Sequence, residues 1–155
     1  MADPQDIRGL IVAEAKSWLQ TPFAHQGRMK GVGVDCLGLI AQIAINCGCV
    51  PADSWSTTWA EHAGYATTPA NGILPAVCHR YMRPIDKAKA QAGDVVLIRY
   101  MREPQHLAIL VPYLHGGLSL IHALGPKAPS KVVEQGFDAK WQARVVEAFA
   151  LPGVN

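Results

Sequence analysis

A chain of 155 residues is the size of one domain, long enough to bury a core without a metal or a disulfide. Half of its residues are hydrophobic and 17% are charged, which excludes a disordered chain. The formal net charge of +2 is too small, and the basic residues too scattered, to imply nucleic acid.

The first helix is predicted from Pro4 to Leu19. Asp3 suits the N-cap, Pro4 the first helical position, and Asp6 the positive end of the helix. Ile7, Leu10, Ile11, Ala15, Trp18 and Leu19 recur at helical spacing and form one apolar face, and Thr21-Pro22 ends the helix. A loop with Gly27, Gly31 and Gly33 follows from Phe23 to Val34. The second helix begins near Asp35 and runs to about Cys47, with Ile40, Ile43, Ala44 and Cys47 as its buried stripe and Gly48 just past its end. A third, less regular helix is expected over Asn71 to Tyr81. From there the pattern changes to strands. Ala92-Gly93-Asp94 is a turn, and strands are expected at Val95–Tyr100, His106–Val111 and Leu118–Ala123, with a hairpin loop at Pro112–Gly117. Lys131–Glu134 and Arg144–Leu151 read as two more. Helices first and an antiparallel meander afterwards predict a single α+β domain over residues 1–155, its helices packed on a sheet of about five strands.

Met1 is followed by Ala2-Asp3-Pro4-Gln5-Asp6, without the basic and apolar regions of a secretory signal. The longest apolar run, around Leu37 to Ile45, is too short to span a bilayer. The expectation is a chain made in the cytoplasm, with no membrane span, that reaches any external target by another route. Its four cysteines, Cys36, Cys47, Cys49 and Cys78, are then free thiols. Cys47 and Cys49 are poorly spaced for a disulfide or a zinc knuckle, and no metal or cofactor is expected.

Cys36 carries the chemistry. It opens the second helix in the run Gly33-Val34-Asp35-Cys36-Leu37-Gly38-Leu39-Ile40. The first turn of a helix has unpaired backbone N–H groups and a partial positive charge. A thiol there is expected to have its pKa drawn toward neutrality, and the same N–H groups can hold an oxyanion. Gly33 and Gly38 are expected to let a substrate backbone approach. A nucleophilic cysteine needs a base, and the base an orienting partner. His106 opens one strand and His122 nearly closes the next. If opposed residue numbers sum to about 228, His106 faces His122 on one side of the sheet, and a one-residue slip would separate them. His106 is then the base, with His122 fixing its tautomer. His25 lies in the loop before Cys36, near enough to line the same cleft. His115 is expected in solvent, and His62 and His79 as structural or surface residues. Trp55 and Trp59 mark a segment that either packs over the domain or rims a groove.

These residues resemble a known family. Asp35-Cys36-Leu37-Gly38-Leu39 resembles the Asp-Cys-Ser-Gly-Leu signature of the NlpC-type cell-wall peptidases, which are papain-like cysteine enzymes. Trp18-Leu19-Gln20-Thr21-Pro22-Phe23 resembles the segment before the nucleophile, and Ala92-Gly93-Asp94-Val95-Val96-Leu97 the strand that leads to the catalytic hairpin. His106-Leu107-Ala108-Ile109 is similar to the base motif, and Ile121-His122-Ala123 to the third polar residue. The run Gln26-Gly27-Arg28 through Gly31-Val32-Gly33-Val34-Asp35-Cys36-Leu37-Gly38-Leu39 is most similar to the phage-associated branch, encoded among tail genes of phages, prophages and gene transfer agents.

The resemblance implies a papain-like fold and a thiol protease acting on peptidoglycan stem peptides, typically between D-γ-glutamate and a diamino acid. Cys36 would be nucleophile, His106 base and His122 orienting residue. It also implies a tail-associated location and contacts with tail tip or hub proteins. Two residues depart from the commonest pattern. Phe23 stands where a tyrosine often lines the site, and Leu37 where a serine, with the preceding aspartate, binds a free substrate amine in some members. Asp35, Phe23, His25 and Leu37 are thus candidates for substrate contact, with Asp35 alternatively a helix cap. An amidase or acyltransferase with the same trio, and a structural tail component with vestigial catalytic residues, are the competing readings.

Overall fold

The computed structural model describes residues 4–52, 73–100 and 103–155. Helix α1 spans Pro4–Ser17, and a turn with Gln20 at φ +74° ends it before Thr21-Pro22. Ile11, Ala15 and Trp18 face the core, but Leu10 is 53% exposed. The inward place falls instead to Arg8, whose guanidinium bonds the Asp94 carboxylate and the Ala92 carbonyl, each at 2.9 Å, and the Asn155 carbonyl. A buried charge must be paired, and periodicity of apolar residues does not register such a pair.

The loop before Cys36 contains a small antiparallel ladder of β1 (Arg28–Met29) and β2 (Gly33–Val34). Helix α2 spans Cys36–Asn46, and Gly48 follows its cap at φ +73°, where a side chain would be strained. All but a few of its side chains are buried, so it is sunk in the core rather than laid on it, while Cys47 at its end is half-buried. Helix α3 spans Ile73–Tyr81, and Pro75 fits its first turn, where backbone N–H groups lack helical partners anyway. Asn71, with Trp55, Trp59 and His62, lies outside the described residues.

A six-stranded antiparallel sheet follows. Its strands are β3 (Arg83–Ile85), β4 (Val95–Tyr100), β5 (Glu103–Pro112), β6 (Leu118–Leu124), β7 (Lys131–Gly136) and β8 (Val145–Ala150), in the order β3-β8-β4-β5-β6-β7. The strand missing from the sequence reading, β3, contains Pro84 and sits on the edge, where a strand tolerates a residue with no N–H to give. A 3₁₀ turn (Lys87–Lys89) and a short helix α4 (Ala139–Gln142) complete the described elements.

Both faces of the sheet are covered. Val95, Leu97, Leu107, Ile109, Val111, Ile121 and Ala123 pack against the helices. Val96, Ile98, Ala108, Leu110, Leu120, Val145 and Ala148 form a second core beneath Phe137 and Trp141. Double burial explains why Val95 to Ile98 is continuously apolar rather than alternating.

The β5–β6 register differs from expectation by two residues. Leu110 pairs Leu120 and Pro112 pairs Leu118, so opposed numbers sum to 230 rather than 228. His106 and His122 are therefore diagonal, not opposite. A two-residue shift preserves the face, and diagonal neighbours remain within reach of rings.

The Arg8–Asp94 pair joins α1 to the turn that starts β4. Asp94→Ala should destabilise the fold by about 3 kcal/mol, because it removes the carboxylate paired with a buried guanidinium and the acceptor of the Gln91 N–H. Urea midpoints of the two proteins measure this, and an unchanged midpoint would show that the pair does not tie α1 down.

Candidate active site

Asp35 builds the start of α2. Its Oδ1 accepts the Gly38 N–H at 2.8 Å, and its carbonyl accepts the Leu39 N–H at 2.9 Å. Its Oδ2 accepts the Gln26 N–H at 2.7 Å, so one buried carboxylate joins the preceding loop to the helix. Both carboxylate oxygens serve backbone N–H groups, which gives Asp35 the capping role of the two considered from sequence. A Cβ on Gly38 would collide with the Gly27 carbonyl oxygen. Gly38 thus admits the protein's own loop, not a substrate backbone as the sequence suggested, and Gly33 does the same beside Ala24.

The cap leaves two first-turn N–H groups, those of Cys36 and Leu37, and both face the Cys36 sulfur. The third backbone N–H on the sulfur comes from Leu107, the residue after His106. The start of α2 and the middle of β5 therefore meet at the thiol. The expectation of a lowered thiol pKa is overturned. Cys36 is 9% exposed, and burial, with the Asp35 carboxylate adding to it, pushes the thiol up to about 12 against those N–H groups. Desolvation can shift a buried group by several units, whereas a helix terminus contributes about 1 kcal/mol or less at an ordinary site.

His106 and His122 form a buried pair, 6% and 0% exposed, with His106 Nε2 and His122 Nδ1 2.8 Å apart. Burial holds the His106 ring well below its ordinary 6.5, and the nearby His122 lowers it further. Burial also lowers His122 to about 4, opposed by its hydrogen bond to Gln135. Thiol and both imidazoles are thus neutral together near pH 7. His122 Nε2 lies 2.7 Å from Gln135 Oε1, and Trp141 meets the ring edge-on at 5.1 Å. Gln135 escaped the sequence reading. Its place on β7, diagonal to His122, depends on the β6–β7 register, in which His122 pairs Val133 and Leu120 pairs Gln135.

The remaining candidates separate. Leu37 is 2% exposed and lies in the core, so its side chain offers nothing to a substrate. Phe23 is half-buried, with its ring where a Cβ on Gly125 would fall. His25 is exposed on the loop that Asp35 clasps through Gln26. His115 is exposed in the β5–β6 loop beside Tyr113, and His79 pairs with Glu147 on the surface. Cys36, Cys47, Cys49 and Cys78 are free thiols. Among the described residues no cluster of three or more His, Cys, Asp or Glu side chains could hold a metal, and no helix is long and apolar enough to cross a membrane.

Two measurements test this geometry. Asp35→Ala should cost about 2 kcal/mol in urea unfolding, because it removes a cap and orphans the Gln26 N–H. The imidazoles set a pH dependence with a definite sign. Their folded pKa values lie below those of the unfolded chain, so the unfolded chain binds more protons as pH falls. Stability is therefore full above about 6.5 and declines through the window toward about 4. The decline should be shallower in His122→Asn, and equal slopes in both proteins would contradict a buried neutral pair.

Residues 20–149 match the model of the NlpC/P60 family. No curated protein matches the chain in sequence. Among solved structures, a lipoprotein-like NLP/P60 family protein from Staphylococcus aureus superposes with a TM-score of 0.62 at 18% identity, over 98% of this chain and 43% of its own. The chain thus spans less than half the length of that protein. The NlpC/p60 domain of the peptidoglycan hydrolase SagA gives 0.59 at 22% identity, over 93% of this chain and 98% of its own. An N-acetylmuramoyl-L-alanine amidase from Bacteroides uniformis gives 0.55 at 12% identity, over 95% and 99%. At such identities these structures share the fold, and the family match covers most of the chain: it belongs to the NlpC/P60 family.

Proposed function

We propose that this protein is a cysteine peptidase that hydrolyses amide bonds in peptidoglycan stem peptides, with Cys36 as nucleophile, His106 as general base and His122 as its orienting partner. The observation that carries the reading is the convergence at Cys36. Its sulfur meets the backbone N–H beside His106, and His106 Nε2 is held 2.8 Å from His122 Nδ1. In this reading Nδ1 of His106 serves the thiol.

The neutral resting pair defines the mechanism. His106 takes the thiol proton as the sulfur attacks the amide carbonyl carbon, forming a C–S bond. The N–H groups of Cys36 and Leu37 are placed to donate to the oxygen as it gains charge. The C–N bond then breaks, and His106 returns the proton to the leaving amine. Water, deprotonated by the same ring, hydrolyses the thioester and restores the thiol. Because His106 must be neutral to act, the acid limb of kcat/KM should fall below 6.5, the ordinary value from which burial lowers it.

The bond between D-γ-glutamate and a diamino acid is the proposed target, on the resemblance of the Asp35–Leu39 run to the stem-peptide enzymes. The resemblance of the run from Gln26 to Leu39 to the phage-associated branch supports a place in a phage-type tail, with tail tip or hub proteins as partners and the cell wall as site of action. The likeness to a muramoyl amidase favours one further reading, cleavage at the sugar junction by the same trio.

Digestion of purified peptidoglycan followed by product masses separates these readings. Wild-type protein should release fragments cut within the stem peptide. Cys36→Ala and His106→Ala should lower the rate by roughly 100-fold or more, as loss of a nucleophile or a base does. Products cut at the sugar junction would establish the amidase, and undiminished release by Cys36→Ala would remove Cys36 from the chemistry.

A further inference from the structure

A neutral imidazole carries one N–H, and which nitrogen holds it follows from its partners. Here the rings are linked through His106 Nε2 and His122 Nδ1 at 2.8 Å, and the chain ends at Gln135 Oε1, 2.7 Å from His122 Nε2. Each link needs one donor and one acceptor, so with the Gln135 oxygen turned to His122 the direction of the whole chain is set at that end. An amide oxygen can only accept. His122 must then carry its hydrogen on Nε2, which leaves a lone pair on Nδ1. His106 must donate to that lone pair from its own Nε2, and its Nδ1 becomes an acceptor.

The opposite direction has the same number of hydrogen bonds and the opposite chemistry. If a donor faced His122 Nε2, the hydrogens of both rings would move to Nδ1. His106 would then carry an N–H on the nitrogen that the proposed mechanism needs as acceptor and could take no proton there. The thiol already meets three backbone N–H groups, those of Leu107, Leu37 and Cys36, so its own hydrogen needs an acceptor.

We infer that Gln135 is a positioning residue of the Cys36–His106–His122 site, acting through His122 to fix the hydrogen on Nε2 of both rings so that Nδ1 of His106 can accept the thiol proton. Its surroundings suit the task. Gln135 reaches His122 from the neighbouring strand, in the register that pairs Leu120 with Gln135. Trp141 packs edge-on against the His122 ring from α4, which helps hold that ring in place. Gln135 itself is exposed, so its replacement removes little packing. The inference rests on the proposed peptidase function for its consequence, while the tautomers themselves can be read without any substrate.

Imidazole ¹⁵N shifts and long-range ¹H–¹⁵N correlations of His106 and His122 at about pH 8, where both rings are neutral, test it directly. Wild-type protein should show both rings protonated on Nε2. Gln135→Glu, which can only accept, should keep that pattern and keep kcat within about threefold. Gln135→Lys, which can only donate, should move the hydrogens to Nδ1 and lower kcat about tenfold or more at little-changed KM, the scale of a weakened general base. Wild-type rings protonated on Nδ1, or a ring pattern indifferent to Gln135→Lys, would overturn the inference. Loss of the peptidase reading, by contrast, would appear as active Cys36→Ala protein with the tautomers as stated.

Discussion

Asp35 holds two pieces of chain with one carboxylate, accepting the Gly38 N–H inside the first turn of α2 and the Gln26 N–H in the loop before it. The rest of the site follows from that clasp. It fixes where the helix starts, so Cys36 is the first helical residue and its sulfur meets the N–H groups that the cap does not use. It also draws the loop so close that only glycine fits at position 38, beside the Gly27 carbonyl. Burial of α2 on nearly every side then sets that turn against the middle of β5, where His106 and Leu107 lie.

The electrostatics of the site come from burial more than from the helix end. Stabilisation of a thiolate by a helix start is worth at most a kcal/mol or two, and removing the charge from water costs more. In the free protein the proton therefore rests on the Cys36 sulfur, with neutral rings behind it. A thiol in this state reacts slowly with alkylating reagents whether or not it is catalytic, so low reactivity in the free protein does not argue for a vestigial site. In the proposed mechanism, charge separation is deferred to the moment of attack, when a substrate carbonyl stands before the sulfur and the oxyanion donors gain a partner.

Much of this was legible in the chain. Asp35 and Gly48 bracket α2 because cap residues have local, sequence-readable reasons to be where they are. The pairing of His106 with His122 could be read because side chains alternate along strands, and an error of two residues in register leaves the face unchanged. Three features were hidden for identifiable causes. Arg8 is a charged residue in an inward place, and its partner Asp94 is far away in sequence. Gln135 acquires its role only from the β6–β7 register, which no local pattern announces. The thiol pKa depends on how deeply α2 is sunk, which apolar spacing does not measure. Leu37 shows the same limit, since its place beside Cys36 suggested substrate contact while its side chain turns into the core.

The central claim is that Cys36 forms a covalent acyl intermediate, and hydroxylamine trapping tests it most directly. A thioester partitions between water and hydroxylamine, whereas an amide cut by direct attack of water passes through no such species. Soluble stem-peptide fragments digested in the presence of hydroxylamine should yield the hydroxamate of the acyl portion, identified by mass, and Cys36→Ala should yield none. Products containing the free carboxylate alone, however much hydroxylamine is present, would contradict the account.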